Sequence, residues 1–387
     1  MRVAVIADPG PEWDAFAEAE PAGRLGHASA WGRVVRDAYG LTPVYLEARN
    51  EQGAIAGILP LVGFRGLGGG LELVSMPFLD SGGILARDPA AERALLDAAL
   101  GLAREQGARA LELREFAAAG GAGSGESSRV TAAEGEGASD SRAATAAKRE
   151  DASGPRGSAG GDGSRAETQA RVDLVLALES SEDAQWAALR AKVRNQTRKA
   201  EREGLRIAPR GDAKLLTDFY GPFCRNMRDL GSPVHAERFF AAAAEAFGDR
   251  LRFIVSRLGE RSVGGLVAID FAGAVSVPWA STLREERNRC PNNQIYWEAL
   301  RWAIERGARE FDFGRSPIGG GTYRFKLGWG AQERPLAWRR LDPEGGRIAA
   351  KSAGDSPTLQ RLSAIWSRLP LPMTALLGPW LRRRISS

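Results

Sequence analysis

Apolar positions along this chain follow two rhythms. Where they alternate with polar ones, or run unbroken for a few residues, a strand is expected; where they recur every three or four residues, a helix. The first part of the chain reads as a short apolar run at 3–7, a helix at 29–39, strands at 42–48 and 54–64 joined by a polar turn, a strand at 71–76, a helix at 90–106 and a strand at 108–116. The second part reads as a strand at 172–178, then helices at 182–203, 214–229 and 237–247. Strands follow at 251–257, 263–271 and 274–280, and from Pro291 comes a helix burying Ile295, Ala299, Trp302 and Ala303. Either Asn292 or Asn293 is expected to cap that helix, and Gly307 to supply its left-handed stop. A half-buried strand at 310–314 leads into the glycine loop at 316–321.

Both parts run strand, turn, strand, helix, strand, and Glu105-Gln106-Gly107-Ala108-Arg109 is matched by Glu305-Arg306-Gly307-Ala308-Arg309 in the same setting. The chain therefore reads as two copies of one α/β unit, with residues 1–116 plus 171–180 forming the first lobe and 181–341 the second. The strand at 172–178 is expected to complete the first sheet. Residues 117–170 contain Ala, Gly, Ser, Glu and Arg with hardly any large apolar side chain. Such a segment buries too little surface to offset its ordering entropy and is expected to be a disordered insertion. Residues 342–387 read as a linker and an amphipathic basic tail, with an apolar face at Leu359, Leu362, Ile365 and Trp366, a break at Pro370 and Pro372, and Arg382-Arg383-Arg384 at its end. That tail either docks on the lobes or makes a peripheral contact with an anionic membrane surface.

Composition narrows the chemistry. A length of 387 residues with 43% hydrophobic content suits two packed lobes, and a net charge of +5 with a pI near 9.4 favours anionic partners. Two cysteines and two histidines argue against a disulfide scaffold and against a metal site. Cys290, beside a helix start, lacks a nearby histidine to activate it as a nucleophile. No signal peptide or membrane-spanning run is expected, which places the protein in the cytoplasm. Candidate chemistry concentrates in two places. The helix at 182–203 lines up Arg194, Arg198 and Arg202 on one stripe, which is either a solvated face or an anion-binding one. The glycine loop is followed by Tyr323-Arg324-Phe325-Lys326 and Gly328-Trp329-Gly330, a lysine flanked by aromatics next to backbone that a ligand can approach closely.

These stretches carry a resemblance. ILPL at Ile58 to Leu61, LVSMPF at Leu73 to Phe78, GGILA at Gly82 to Ala86, RNQTRKAEREG at Arg194 to Gly204, YWEALRWA, FDFGRS and GGGTYRFKLGWG together resemble the Fem-type peptidyltransferases. Within them, the chain is similar to the FemAB-related proteins of exosortase/PEP-CTERM systems. The resemblance implies two fused GNAT-like lobes, each a mixed sheet flanked by helices. It also implies acyl or aminoacyl transfer to an amine of a cell-envelope or exopolysaccharide-related precursor. Lys326 takes the catalytic role, stabilising the oxyanion. Tyr323 and Phe325 line the acyl channel, Arg194 and Arg198 hold a phosphate of acceptor or tRNA, and Tyr296, Asp312 and Arg315 are further substrate contacts. No cofactor is expected to be resident. The donor is aminoacyl-tRNA or acyl-CoA, and the acceptor a nucleotide-linked or lipid-linked precursor. The connection 281–293 contains no glycine to wrap a pyrophosphate, which argues against coenzyme A. A coenzyme-A-dependent N- or O-acyltransferase and a non-catalytic RNA- or membrane-binding factor remain the alternatives. Oligomeric state is left open.

Overall fold

The computed structural model describes residues 1–66, 69–117, 171–349 and 357–385. The expected insertion, beyond Ala117, and residues 350–356 of the expected linker lie outside the described residues. The first half contains β1 (Arg2–Ile6), α1 (Pro11–Ala19), α2 (Ser29–Tyr39), β2 (Pro43–Arg49), β3 (Ile55–Arg65), β4 (Leu71–Val74), β5 (Leu85–Ala86), α3 (Pro89–Glu105) and β6 (Ala110–Leu113). The second begins with β7 (Arg171–Ala177), α4 (Glu182–Ala188), α5 (Ala191–Arg202), β8 (Leu205–Ile207), α6 (Leu215–Asp229) and α7 (Glu237–Phe247). It continues with β9 (Leu251–Leu258), β10 (Arg261–Phe271), β11 (Ala274–Thr282), α8 (Pro291–Glu305), β12 (Glu310–Pro317), α9 (Gly321–Gly328), β13 (Gln332–Pro335) and β14 (Arg339–Leu341). A tail pair, α10 (Pro357–Trp366) and α11 (Leu371–Arg382), follows.

The strands form two seven-stranded mixed sheets, in the orders β1-β2-β3-β4-β6-β14, with β5 beside β3, and β13-β7-β12-β11-β10-β9-β8. In each, three antiparallel strands lead through a helix to a strand that pairs parallel with the third: β2, β3, β4, α3, β6 in one and β9, β10, β11, α8, β12 in the other. The sequence match lands at equivalent points. Gly107 (φ 63°) and Gly307 (φ 71°) both take the left-handed conformation. Ala108 then donates to the carbonyl of Ala103 (2.8 Å), and Ala308 to that of Ala303 (3.0 Å). Each helix thus ends in the same hydrogen-bonded reversal that aims the next strand at its sheet.

One strand of each sheet comes from the lobe that the sequence assigned to the other sheet. β7 pairs antiparallel with β12, from Ala177 against Glu310 to Arg171 against Pro317, so it belongs to the second sheet and does not complete the first. The first sheet is completed by β14, which pairs with β6. Alternation alone shows that a strand is half-buried and says nothing of its partner. The exchange ties the halves together, and residues 1–117 and 168–387 make one compact unit. One core cluster spans both: Trp31 of α2 stacks on Trp279 of β11, with centroids 5.9 Å apart, while Tyr39 and Phe78 meet Phe239 of α7.

Two local expectations are corrected. The helix at 182–203 is two helices, because Leu189 and Arg190 are extended (ψ 143° and 142°). Neither Asn292 nor Asn293 caps α8: Pro291 occupies its first turn, Cys290 (φ 60°) precedes it, and Asn293 is buried within it, its amide donating to Gln196 (3.4 Å).

Candidate active site

The parallel strands β11 and β12 pair only from Ala274 to Ser276 against Glu310 to Asp312. Beyond that they part. Pro278 has no amide proton to offer a ladder, and β11 slips against β10 between Val267 and Ile269. Gly314 (φ 72°) turns β12 aside where it slips against β7, between Asp312 and Arg315. The wedge opens into a cavity of about 330 Å³, large enough for a small ligand. Val277, Pro278, Trp279 and Ala280 form one wall, and Phe313, Gly314 and Arg315 the other. Tyr296, Thr322, Lys326, the loop Phe78–Leu79–Asp80, Phe223, Met227, His235 and Arg382 close it. A smaller void of about 50 Å³ shares Asp80 and Gly314 and reaches Ser276 and Asp312.

Lys326 projects from α9 into this wedge and is 7% exposed. Its Nζ donates to the carbonyls of Gly314 (2.7 Å) and Arg315 (3.1 Å), both on the bulge where β12 leaves the ladder. Burial lowers its pKa to about 8, against the opposing pull of Asp173, Asp312 and Asp80. Two carboxyl groups lie beside it. Asp173 of β7 is 1% exposed, and neither of its oxygens meets a donor among the described residues. It faces Asp312. Burial first, then the neighbouring carboxylates Asp312 and Asp80, push Asp173 well above the usual carboxylate range. Burial also raises Asp312, although the Gly314 amide donates to its Oδ1 (2.6 Å). The Ser276 hydroxyl donates to Asp312 Oδ2 (3.3 Å).

Other walls carry fixed polarity. Arg315 pairs through Nε with Asp80 Oδ1 (3.0 Å) and lies over the Trp338 ring (5.0 Å). Tyr296 is 6% exposed, burial pushes its pKa up, and its hydroxyl finds no hydrogen-bond partner among the described residues. His235 is neutral, because burial and Arg382 lower its pKa well below the ordinary value. Its Nε2 accepts from Arg382 Nε (3.0 Å), which leaves the proton on Nδ1, 2.7 Å from the Tyr39 hydroxyl. Arg382, half-buried at the end of α11, sits 5.6 Å over the Phe78 ring, and burial lowers its pKa to about 10.

Of the residues expected from sequence, Lys326, Tyr296 and Arg315 line the main cavity and Asp312 the smaller void. The other four lie elsewhere. Tyr323 donates its hydroxyl to Glu333 on the outer side of α9. Phe325 packs between Tyr296 (5.3 Å) and Trp329 (6.1 Å), so neither aromatic forms the cavity wall. The sequence places both beside Lys326 after a glycine loop, whereas α9 points Lys326 inward and turns the two aromatics away. Arg194 donates to the carbonyls of Trp186, Ala187 and Leu189, closing the end of α4, and Arg198 lies over the Trp186 ring (5.3 Å). Both arginines are therefore engaged in holding α4 on α5. Cys290 stays a thiol, since burial raises its pKa.

Asp173, Asp80, Thr322, His235 and Arg382 escaped the sequence reading. Asp173 left one trace, a carboxylate within an otherwise mostly apolar strand, and Asp80 lies in the loop between β4 and β5. His235 and Arg382 are 147 residues apart, and nothing in the sequence pairs them.

The model for an acetyltransferase (GNAT) domain matches residues 187–327. Among solved structures, FemX superposes with a TM-score of 0.63 at 13% identity, covering 95% of this chain and 100% of that one. A tandem GNAT protein from the clavulanic acid biosynthesis pathway gives 0.48 at 13% identity, over 88% of this chain and 98% of that one. L-PGS from Bacillus licheniformis gives 0.47 at 13% identity, over 98% of each. No curated protein matches the sequence. The fold is a tandem of two GNAT-like lobes, each a mixed sheet flanked by helices.

Proposed function

We propose that the wedge between β11 and β12 transfers an acyl or aminoacyl group to an amine, with Lys326 as the oxyanion donor and the Asp173–Asp312 pair as the proton acceptor. The observation that carries this reading is the placement of Lys326. Its ammonium is held by two carbonyls of the bulge at the edge of the cavity, and at neutral pH it is mostly protonated. A third N–H remains to meet an oxygen in the cavity.

The steps balance as follows. The acceptor's ammonium gives its proton to Asp312, whose raised pKa makes it a stronger base than an ordinary carboxylate. The freed amine attacks the acyl carbonyl, a C–N bond forms, and the carbonyl oxygen becomes an oxyanion that accepts from Lys326. As collapse breaks the C–O bond of an ester donor, or the C–S bond of a thioester, the extra proton on the attacking nitrogen passes to the departing oxygen or sulfur, which leaves an amide and a neutral alcohol or thiol. Asp173 holds the proton of the pair and keeps two buried charges from facing each other. Tyr296, with an unengaged hydroxyl, is positioned to orient a substrate carbonyl or hydroxyl.

Aminoacyl-tRNA is the donor we favour. The motif resemblance to Fem-type enzymes supports it, and so does the β11–α8 connection. That connection has no glycine, and it is filled by a 3₁₀ turn, Arg284–Arg289, with the buried carboxylate of Glu286 paired to Arg289 (3.0 Å). The acceptor, on the same resemblance, is an amine of a cell-envelope or exopolysaccharide-related precursor, reached from the cytoplasmic side. Acyl-CoA-dependent N- or O-acyl transfer is the second reading, favoured by the GNAT-domain match. Purified protein incubated with charged tRNA or with acetyl-CoA, and with amine-bearing envelope precursors, tests both. Transfer from charged tRNA that disappears in Lys326→Ala is expected. Transfer from acetyl-CoA alone selects the second reading, and binding of tRNA without transfer to any acceptor overturns both.

A further inference from the structure

The tail carries an unusual combination of surface and charge. Residues 357–387 contain five arginines and no acidic residue, so this segment alone accounts for the +5 net charge of the whole chain. Among the described residues, six of the ten large apolar side chains that stand exposed belong to it: Leu362, Ile365, Met373, Leu376, Leu377 and Trp380. Leu376 is 78% and Trp380 53% exposed.

The two faces of α11 have separate duties. Leu371, Thr374, Gly378 and Arg382 follow helical spacing on the docked side. Thr374 and Gly378 are buried, Leu371 packs against the core, and a Cβ on Gly378 would meet Val234 at 2.8 Å. Met373, Leu376, Leu377 and Trp380 recur at i, i+3, i+4 and i+7 on the opposite side, which no other described element covers. On α10, Leu362 and Ile365 are exposed in the same way, while Ser363 sits against Gly231. Arg361, Arg368, Arg383 and Arg384 are exposed around these apolar side chains, and Arg384 lies 4.8 Å over the Trp380 ring. No helix among the described residues is long and apolar enough to cross a membrane.

We infer that α10 and α11 form a docking surface for an anionic lipid bilayer, with the apolar row entering the headgroup boundary and the arginines meeting lipid phosphates. Charge selects this occupant over a second copy of the chain: two such tails face to face would bring eight exposed arginines together with no carboxylate between them. An acyl-free, uncrossed, shallow contact of this kind draws on apolar burial and on attraction to anionic headgroups together. The inference stands apart from the acyl-transfer reading, because the exposed row lies away from the cavity, which α11 reaches only through Arg382 on its other face.

The test is sedimentation of the full-length protein with phosphatidylglycerol–phosphatidylcholine vesicles and with pure phosphatidylcholine vesicles. The protein is expected to pellet with the first and stay in solution with the second. Leu376→Glu with Trp380→Glu, both at exposed positions, should lower partitioning by about tenfold or more with an unchanged circular dichroism spectrum. Arg383→Glu with Arg384→Glu should reduce the preference for anionic vesicles, and raised salt should do the same. Failure to bind the anionic vesicles, or binding that Leu376→Glu with Trp380→Glu leaves unchanged, overturns the inference. So does a concentration-dependent dimer, seen by sedimentation velocity, that the same variant dissociates. Transfer between soluble substrates is untouched by that variant, so a failed transfer assay and a failed vesicle assay are distinguishable.

Discussion

Lys326 can serve an oxyanion only while it carries its proton. Its pKa is lowered to about 8, so the donor is present below that value and is lost as pH rises through it. The carboxyl pair acts in the other direction: its base form disappears as pH falls through a pKa above the ordinary carboxylate range. The transfer rate should therefore trace a bell, with an acid limb displaced upward from ordinary carboxylates and an alkaline limb near 8. Asp312→Asn is expected to lower the single-turnover rate by roughly 10²-fold or more while leaving the fold intact, as loss of a general base does. Asp173→Asn should keep or raise the melting temperature, because an amide replaces an acid that is already neutral; a large fall in melting temperature would show that Asp173 is ionised. The sequence singled out Lys326 by the glycine loop and aromatics around it, and Asp312 only as a substrate contact that the resemblance implies. Which way each side chain points was hidden, because that depends on whether residues 321–328 are loop or helix.

Helix and strand boundaries were legible wherever a local signal fixed them. Gly107 and Gly307 are the clearest, each ending a helix at positive φ with open space around the missing Cβ. Gly307→Ala is accordingly expected to cost about 1 kcal/mol through backbone strain alone, lowering the melting temperature by about 2–4 °C with activity retained. The break between α4 and α5 was not legible. It is held by Arg194, whose guanidinium satisfies carbonyls that a continuous helix would have paired internally. Periodicity reports which face is buried, and that face runs on across the break through Leu189, Val193 and Ala200. Arg194→Ala should cost about 1–2 kcal/mol in denaturant titration and leave tRNA or phosphate binding unchanged. Weakened anion binding with unaltered stability would return Arg194 to a substrate role.

At the scale of the molecule, the tandem repeat was visible in sequence and the strand exchange was not. The order strand, turn, strand, helix, strand is a local property, but the assignment of β7 to the second sheet and β14 to the first rests on contacts between distant segments. The exchange and the core shared by Trp31, Phe78, Phe239 and Trp279 make neither lobe complete alone. Calorimetry should accordingly show one unfolding transition, with equal calorimetric and van't Hoff enthalpies, and not two. The same arrangement builds the site from both halves: Asp80 of the first reaches Arg315 of the second, and Arg382 of the tail closes the far wall. The central claim is that acyl transfer occurs here with protonated Lys326 as its oxyanion donor. The most direct measurement is the single-turnover transfer rate as a function of pH for the native protein, Lys326→Arg and Lys326→Met. A native alkaline limb near 8 that is absent in Lys326→Arg, with a rate about 10²–10³-fold lower in Lys326→Met, is the predicted result. A native profile that stays flat through pH 8, or an undiminished rate in Lys326→Met, would contradict it.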